Sequence, residues 1–205
     1  MLADRLWQDN QDLAQACLNH PFIQGLAAGD LDPACFGAYV AQDAFFLRAF
    51  VQAYALALVR CPDSPEFLTL IQGVSSELQM HSIHALEFRI NLTKVTPNRA
   101  CRAYTDFLLH TAWHRDLPEI LASMTPCMRL YAWLGASLAP GRGLRYQRWI
   151  DSYSGPNFRA LAARLEALLD RHATDTPSVR EHYRYAMECE FDFFTDAMSR
   201  EGASP

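Results

Sequence analysis

The stretch DPACFGAYVAQDAFFLRAFVQAYALALVR, residues 32–60, decides the fold. Asp32 is a good N-cap and Pro33 suits the first helical position, where a missing N–H is harmless. Beyond them Phe36, Tyr39, Asp43, Phe46 and Phe50 recur at spacings of three, four, three and four. That spacing puts all five on one face of an α-helix. The same punctuation recurs at Ser64-Pro65, Thr96-Pro97 and Thr176-Pro177, each followed by apolar residues three and four apart. Period-two alternation bounded by Asn-Gly or Asp-Gly turns is missing, so no strand is expected.

The pattern predicts helices near 4–19, 33–60, 65–92, 97–113, 118–138, 144–153, 156–172 and 177–200, with a short turn at 21–27. The expectation is an all-α bundle of about eight helices in one domain spanning 1–205. Loops are short and no repeat or low-complexity segment interrupts them.

Composition narrows the function. Half of the 205 residues are hydrophobic and a fifth are charged, as in ordinary globular proteins. A net charge of -5 supplies no basic stripe for nucleic acid. Arg142, Arg145 and Arg148 form only a short run ended by Asp151. The N-terminal MLADRLWQDNQD has no apolar signal core, and no apolar run appears long enough to span a membrane. Six cysteines, at 17, 35, 61, 101, 127 and 189, show no C-x-x-C spacing. They read as reduced thiols, and a cytoplasmic location is expected.

In a bundle, a polar residue on an apolar stripe is the informative one. Asp43 stands among aromatic residues on the 33–60 helix; an internal salt bridge and a ligand contact are equally good explanations. Glu190 occupies the same kind of position in the last helix, between Tyr183, Met187, Phe193 and Ala197. Cys127 shares a face with Met124, Tyr131 and Leu134. Taken alone, that thiol is more simply a buried core residue. Together, two carboxyls and a thiol bordered by rings suit a flat heteroaromatic ligand.

Five segments carry a resemblance: HPFIQGLAAGDL, YVAQDAFFL, TPCMRLYAWLG, RWIDSYSG and ECEFDFF. In order, from about residue 5 to residue 200, they resemble the cysteine-containing branch of the TenA/thiaminase II family. The resemblance implies a haem-oxygenase-like helical fold, a homotetramer and hydrolysis of aminopyrimidines. The implied substrates are thiamin or 4-amino-5-aminomethyl-2-methylpyrimidine, the implied product is the hydroxymethylpyrimidine, and no cofactor or metal is implied. It further implies that Cys127 is the catalytic thiol, Glu190 the acid/base and Asp43 the group holding the pyrimidine's amino edge. Tyr131, Tyr104 and Tyr153 match pocket tyrosines, and Phe46 and Phe193 match aromatic walls. Two positions depart from the pattern: Phe46 and Phe194 stand where many members have tyrosine and tryptophan.

Competing readings come from histidines. Glu77, His81 and His84 share one helical face, and Asp106, His110 and His114 another, as in di-metal bundle oxidases. The last helix lacks the further carboxylate–histidine pair such a site needs, so these histidines read as surface or interface residues. His20, in NHPF, reads as a helix cap rather than a haem ligand. A non-catalytic binder of a thiamin-related ligand would need only Asp43 and the rings.

Overall fold

The computed structural model describes residues 1–87, 90–139 and 145–199, leaving out the side chains of His84 and Thr93. Among them are ten α-helices and a 3₁₀ turn at Leu92–Lys94, with no strand. In order they are α1 Leu2–Asp9, α2 Gln11–Leu18, α3 Pro21–Ala28, α4 Pro33–Arg60, α5 Glu66–Glu87, α6 Arg99–His114, α7 Leu117–Leu138, α8 Gln147–Ser154, α9 Pro156–His172 and α10 Pro177–Met198. The expected 65–92 helix is corrected at its end, since α5 closes at Glu87 and Leu92 belongs to the 3₁₀ turn; the expected start at 144 and end at 200 lie outside the described residues.

The all-α expectation holds, and the expected helix count is corrected. Asn10 divides the expected 4–19 helix into α1 and α2. Its side-chain amide donates to the Leu6 carbonyl at 2.8 Å, so the junction is satisfied internally. The expected turn at 21–27 is helix α3. Its start is His20, whose Nδ1 accepts from the Phe22 N–H at 3.1 Å, and its end is Gly29 at φ 77°, where only glycine fits without strain.

Two helices organise the bundle. Helix α4 packs on α5 and α6, and α7 packs on α8, α9 and α10. In length and composition α4 resembles a membrane-spanning helix, contrary to the expectation that no apolar run is long enough. Its apolar stripe is nevertheless buried inside the bundle, from Phe36 to Ala57. Helix α7 is buried along nearly its whole length and contains Pro126. Pro126 cannot donate to the carbonyl one turn back. Just before it, the hydroxyls of Ser123 and Thr125 bond back to the Ile120 and Leu121 carbonyls at 2.8 and 2.7 Å. Cys127 therefore follows a turn whose backbone ladder is interrupted.

Gly135 sets how α7 meets α8. A Cβ there would lie 2.5 Å from the backbone of Tyr153 and Ser154. No side chain fits, so this glycine fixes the seat of Tyr153.

Candidate active site

The three polar stripe residues meet at the centre. Asp43 comes from α4, Cys127 from α7 and Glu190 from α10, at 4, 9 and 2% exposure. The Cys127 thiol is within hydrogen-bonding reach of the Glu190 carboxyl. Tyr104, from α6, donates to Glu190 Oε1 at 2.8 Å. The Phe46 ring lies 4.7 Å from that of Tyr104 and 6.0 Å from that of Phe193. On the opposite side the Tyr131 and Tyr153 rings meet edge to face at 4.8 Å. The structure thus brings all eight residues suggested by the resemblance into one buried cluster.

Other members of the cluster were not singled out as site residues from sequence. His81 Nε2 lies 2.6 Å from Asp43 Oδ2, and His81 is fully buried. Its reading as a surface or interface histidine is therefore corrected. Tyr39 donates to the same Asp43 oxygen at 3.2 Å, accepts from Trp149 Nε1 at 3.3 Å and lies 3.2 Å from the Tyr131 hydroxyl. Both contacts to Asp43 fall on Oδ2, and among the described residues none is made to Oδ1, the oxygen that faces a ligand in the reading below. Tyr153 donates to Glu77 Oε1 at 2.5 Å. Tyr54 is fully buried, and its hydroxyl has no hydrogen-bond partner among the described residues. It stands close enough to Cys127 and Glu77 for their charges to disfavour its ionisation, after burial itself. Tyr39 and Tyr54 extend the stripe that carries Asp43, which is the sequence signal that marks them.

Burial governs the ionisation. It pushes Glu190 up to about 8; the charge of Asp43 adds to the effect, and the hydrogen bond from Tyr104 opposes it. Burial, and then the charge of Asp43, push Glu77 up to about 7 against the pull of His81. The Cys127 thiol is raised well above its ordinary range by burial and by Glu190. Burial alone would lower His81, but the Asp43 carboxylate outweighs it and raises the imidazole. At neutral pH the resting cluster therefore holds Cys127 as a thiol and Glu190 as a carboxylic acid, with the raised His81 imidazole 2.6 Å from Asp43.

Asp43, Glu77 and His81 place ligating atoms within 4.8 Å of one another, close enough to hold an ion. The other half of the di-metal reading does not join them. Asp106, His110 and His114 are exposed on α6, with the two imidazoles 4.7 Å apart, and the side chain of His84 lies outside the described residues. His20 is committed elsewhere: its Nδ1 caps α3 and its Nε2 meets Thr195 Oγ1 at 3.2 Å.

The class this defines is an all-helical bundle built around a buried thiol–carboxyl pair beside a carboxylate–histidine pair. The chain belongs to the TENA/THI-4/PQQC family, whose family model matches residues 7–201. It is 33% identical over 225 residues to the mitochondrial bifunctional TH2 protein of Arabidopsis thaliana, covering 94% of this chain and 36% of that one. The chain thus spans about a third of the length of that relative. It is 29% identical over 166 residues to an aminopyrimidine aminohydrolase of Helicobacter pylori, covering 76% of each. Among solved structures, a TenA family transcription regulator from Silicibacter sp. TM1040 superposes with a TM-score of 0.87 at 27% identity, covering 96% of both chains. A TenA homologue from Pyrococcus furiosus, at 22% identity and a TM-score of 0.89, shares the fold, covering 96% of this chain and all of that one.

Proposed function

We propose that this chain hydrolyses 4-amino-2-methylpyrimidines substituted at the 5-methylene, releasing 4-amino-5-hydroxymethyl-2-methylpyrimidine for thiamin salvage. The observation that carries the reading is the Cys127–Glu190 contact, with Tyr104 fixing Glu190 and Asp43 standing across the same cluster. Relatives named aminopyrimidine aminohydrolase support it.

Direct displacement at the 5-methylene is slow while the ring stays aromatic. Glu190 gives its proton to a ring nitrogen, its carboxylate takes the Cys127 proton, and sulfur bonds to a ring carbon. The net transfer is the same whichever proton moves first. Electrons released from the ring then break the bond at the 5-methylene: thiazolium departs with that pair as neutral thiazole, and the amine departs as ammonia, taking the proton Glu190 received from Cys127. Water adds to the exposed methylene and gives its proton to the Glu190 carboxylate or, after thiazole departure, to solvent; the C–S bond breaks, and the thiolate leaves and regains the ring-nitrogen proton as the ring becomes aromatic again. Asp43 holds the amino edge through Oδ1, and the rings of Phe46, Tyr104, Tyr131, Tyr153 and Phe193 enclose the pyrimidine. A homotetramer, which rests on the family resemblance, and a reducing cytoplasm, which rests on the cysteine pattern, complete the reading.

The test is incubation of purified protein with thiamin and, separately, with the aminomethylpyrimidine, following the hydroxymethyl product by chromatography. Product from neither substrate overturns the reading. The Asp43–Glu77–His81 trio favours one competitor, a metal-dependent reaction. Iron or manganese near one per chain by elemental analysis, with activity lost on chelation, would favour it.

A further inference from the structure

Asp43, Cys127 and Glu190 are buried, so any ligand reaches them past a wall that yields. One surface pocket shares that wall. It has a volume of about 340 Å³, lies between α5, α8 and α9, and is lined by Gly73, Ser76, Glu77, Met80, Ser152, Tyr153, Asn157, Phe158 and Leu161. Its inner face includes the hydrogen-bonded pair Tyr153–Glu77. The far side of that pair is the catalytic cluster: Glu77 lies within 4.8 Å of Asp43 and His81, and Tyr153 packs on Tyr131. One layer of side chains separates the pocket from the cluster. Four other pockets, such as the one around Arg129 and Glu166, touch none of these residues.

The lining has a definite chemistry. Met80, Phe158 and Leu161 supply soft apolar surface, Ser76, Ser152 and Asn157 supply neutral polar groups, and Glu77 is the one ionisable acid. Among the described residues, no lysine, arginine or histidine lines it. These described liners suit a cationic or neutral group with an apolar body better than a phosphate.

We propose that this pocket is the route to the catalytic cluster and the subsite for the substrate's leaving half, an amine or a heteroaromatic cation. The pyrimidine passes the Tyr153–Glu77 pair, while the group to be released stays in the outer pocket and departs from there. The leaving-group part of the proposal rests on the aminopyrimidine reading; the route does not.

Ser76 and Asn157 are exposed liners on different helices and take no part in the cluster, so Ser76→Trp and Asn157→Trp can fill the pocket without disturbing the core. Folding is checked by circular dichroism. The first readout is the rate of Cys127 alkylation by iodoacetamide, mapped by peptide mass spectrometry. Both variants should label at least tenfold more slowly than wild type, and unchanged labelling in a folded variant overturns the route. The second readout is turnover. The loss in kcat/KM should be at least tenfold greater for thiamin than for the aminomethylpyrimidine, with affinity for the hydroxymethyl product unchanged. An equal loss for both substrates, or weakened product binding, overturns the subsite. If wild-type protein turns over neither substrate, the aminopyrimidine reading and the leaving-group assignment fail together, and the labelling rates still decide the route.

Discussion

His81 Nε2 lies 2.6 Å from Asp43 Oδ2, with His81 fully buried and Asp43 nearly so. Removing one partner leaves the other charge stranded away from water. His81→Ala should therefore destabilise the fold by about 3–5 kcal/mol. The double variant Asp43→Ala/His81→Ala should lose less than the sum of the single losses, because no charge is then left unpaired. Urea unfolding of the four proteins measures both; additive losses would show that the pair is not coupled.

Cys127→Ser should keep the fold and most of the affinity for the hydroxymethylpyrimidine, which Asp43 and the rings supply. Serine is a far weaker acid and a poorer nucleophile toward a soft ring carbon, so turnover should fall by about three orders of magnitude or more. Steady-state rates and product titration separate the two effects. Near wild-type turnover would return Cys127 to the status of a core thiol.

Much of this was legible in the sequence, and the gaps have physical causes. The predicted 33–60 and 156–172 helices match α4 and α9, because each opens on a proline that fixes its start. The stripe through Asp43 and the faces carrying Glu190 and Cys127 follow from helical spacing alone. The role of His81 does not. A histidine on a helix face has the same local pattern whether it meets water or a carboxylate, and here its partner lies on α4. The break at Asn10 was hidden because the apolar period runs on across it. Tyr39 could have been singled out, since it sits one turn from Asp43 on the same stripe.

The Tyr54 hydroxyl offers an unusual test. A buried hydroxyl without a partner contributes nothing to stability and leaves its desolvation unrepaid. Tyr54→Phe should leave the unfolding free energy unchanged or raise it by about 1 kcal/mol. If that hydroxyl bonds the bound pyrimidine, the same variant should raise KM several-fold. Stability loss without a kinetic change would make Tyr54 a structural residue.

The raised carboxyls predict how stability depends on pH. Glu77 and Glu190, at about 7 and about 8, hold protons more tightly folded than unfolded. Their contribution is complete below the ordinary carboxylate range and is lost as pH rises through those values; His81, also raised, acts in the same direction. The unfolding temperature should fall between about pH 5.5 and about pH 8.5. Glu190→Gln should flatten the upper part of that decline. A rise across this range would contradict the assignment.

Burial raises both Glu77 and Glu190, so the resting cluster beside the Asp43–His81 contact carries less negative charge than its three carboxyls would in water. On the proposed reading, a cationic aminopyrimidine would upset that balance on arrival, because it adds a positive charge among buried groups. The nearest relief is loss of a proton from Glu77 or Glu190, the two acids whose hold on protons is weakest near neutral pH. Arrival of the ligand and creation of a base beside the thiol then become a single event. On the aminopyrimidine reading, the ligand itself would then supply the electrostatic signal that prepares the base.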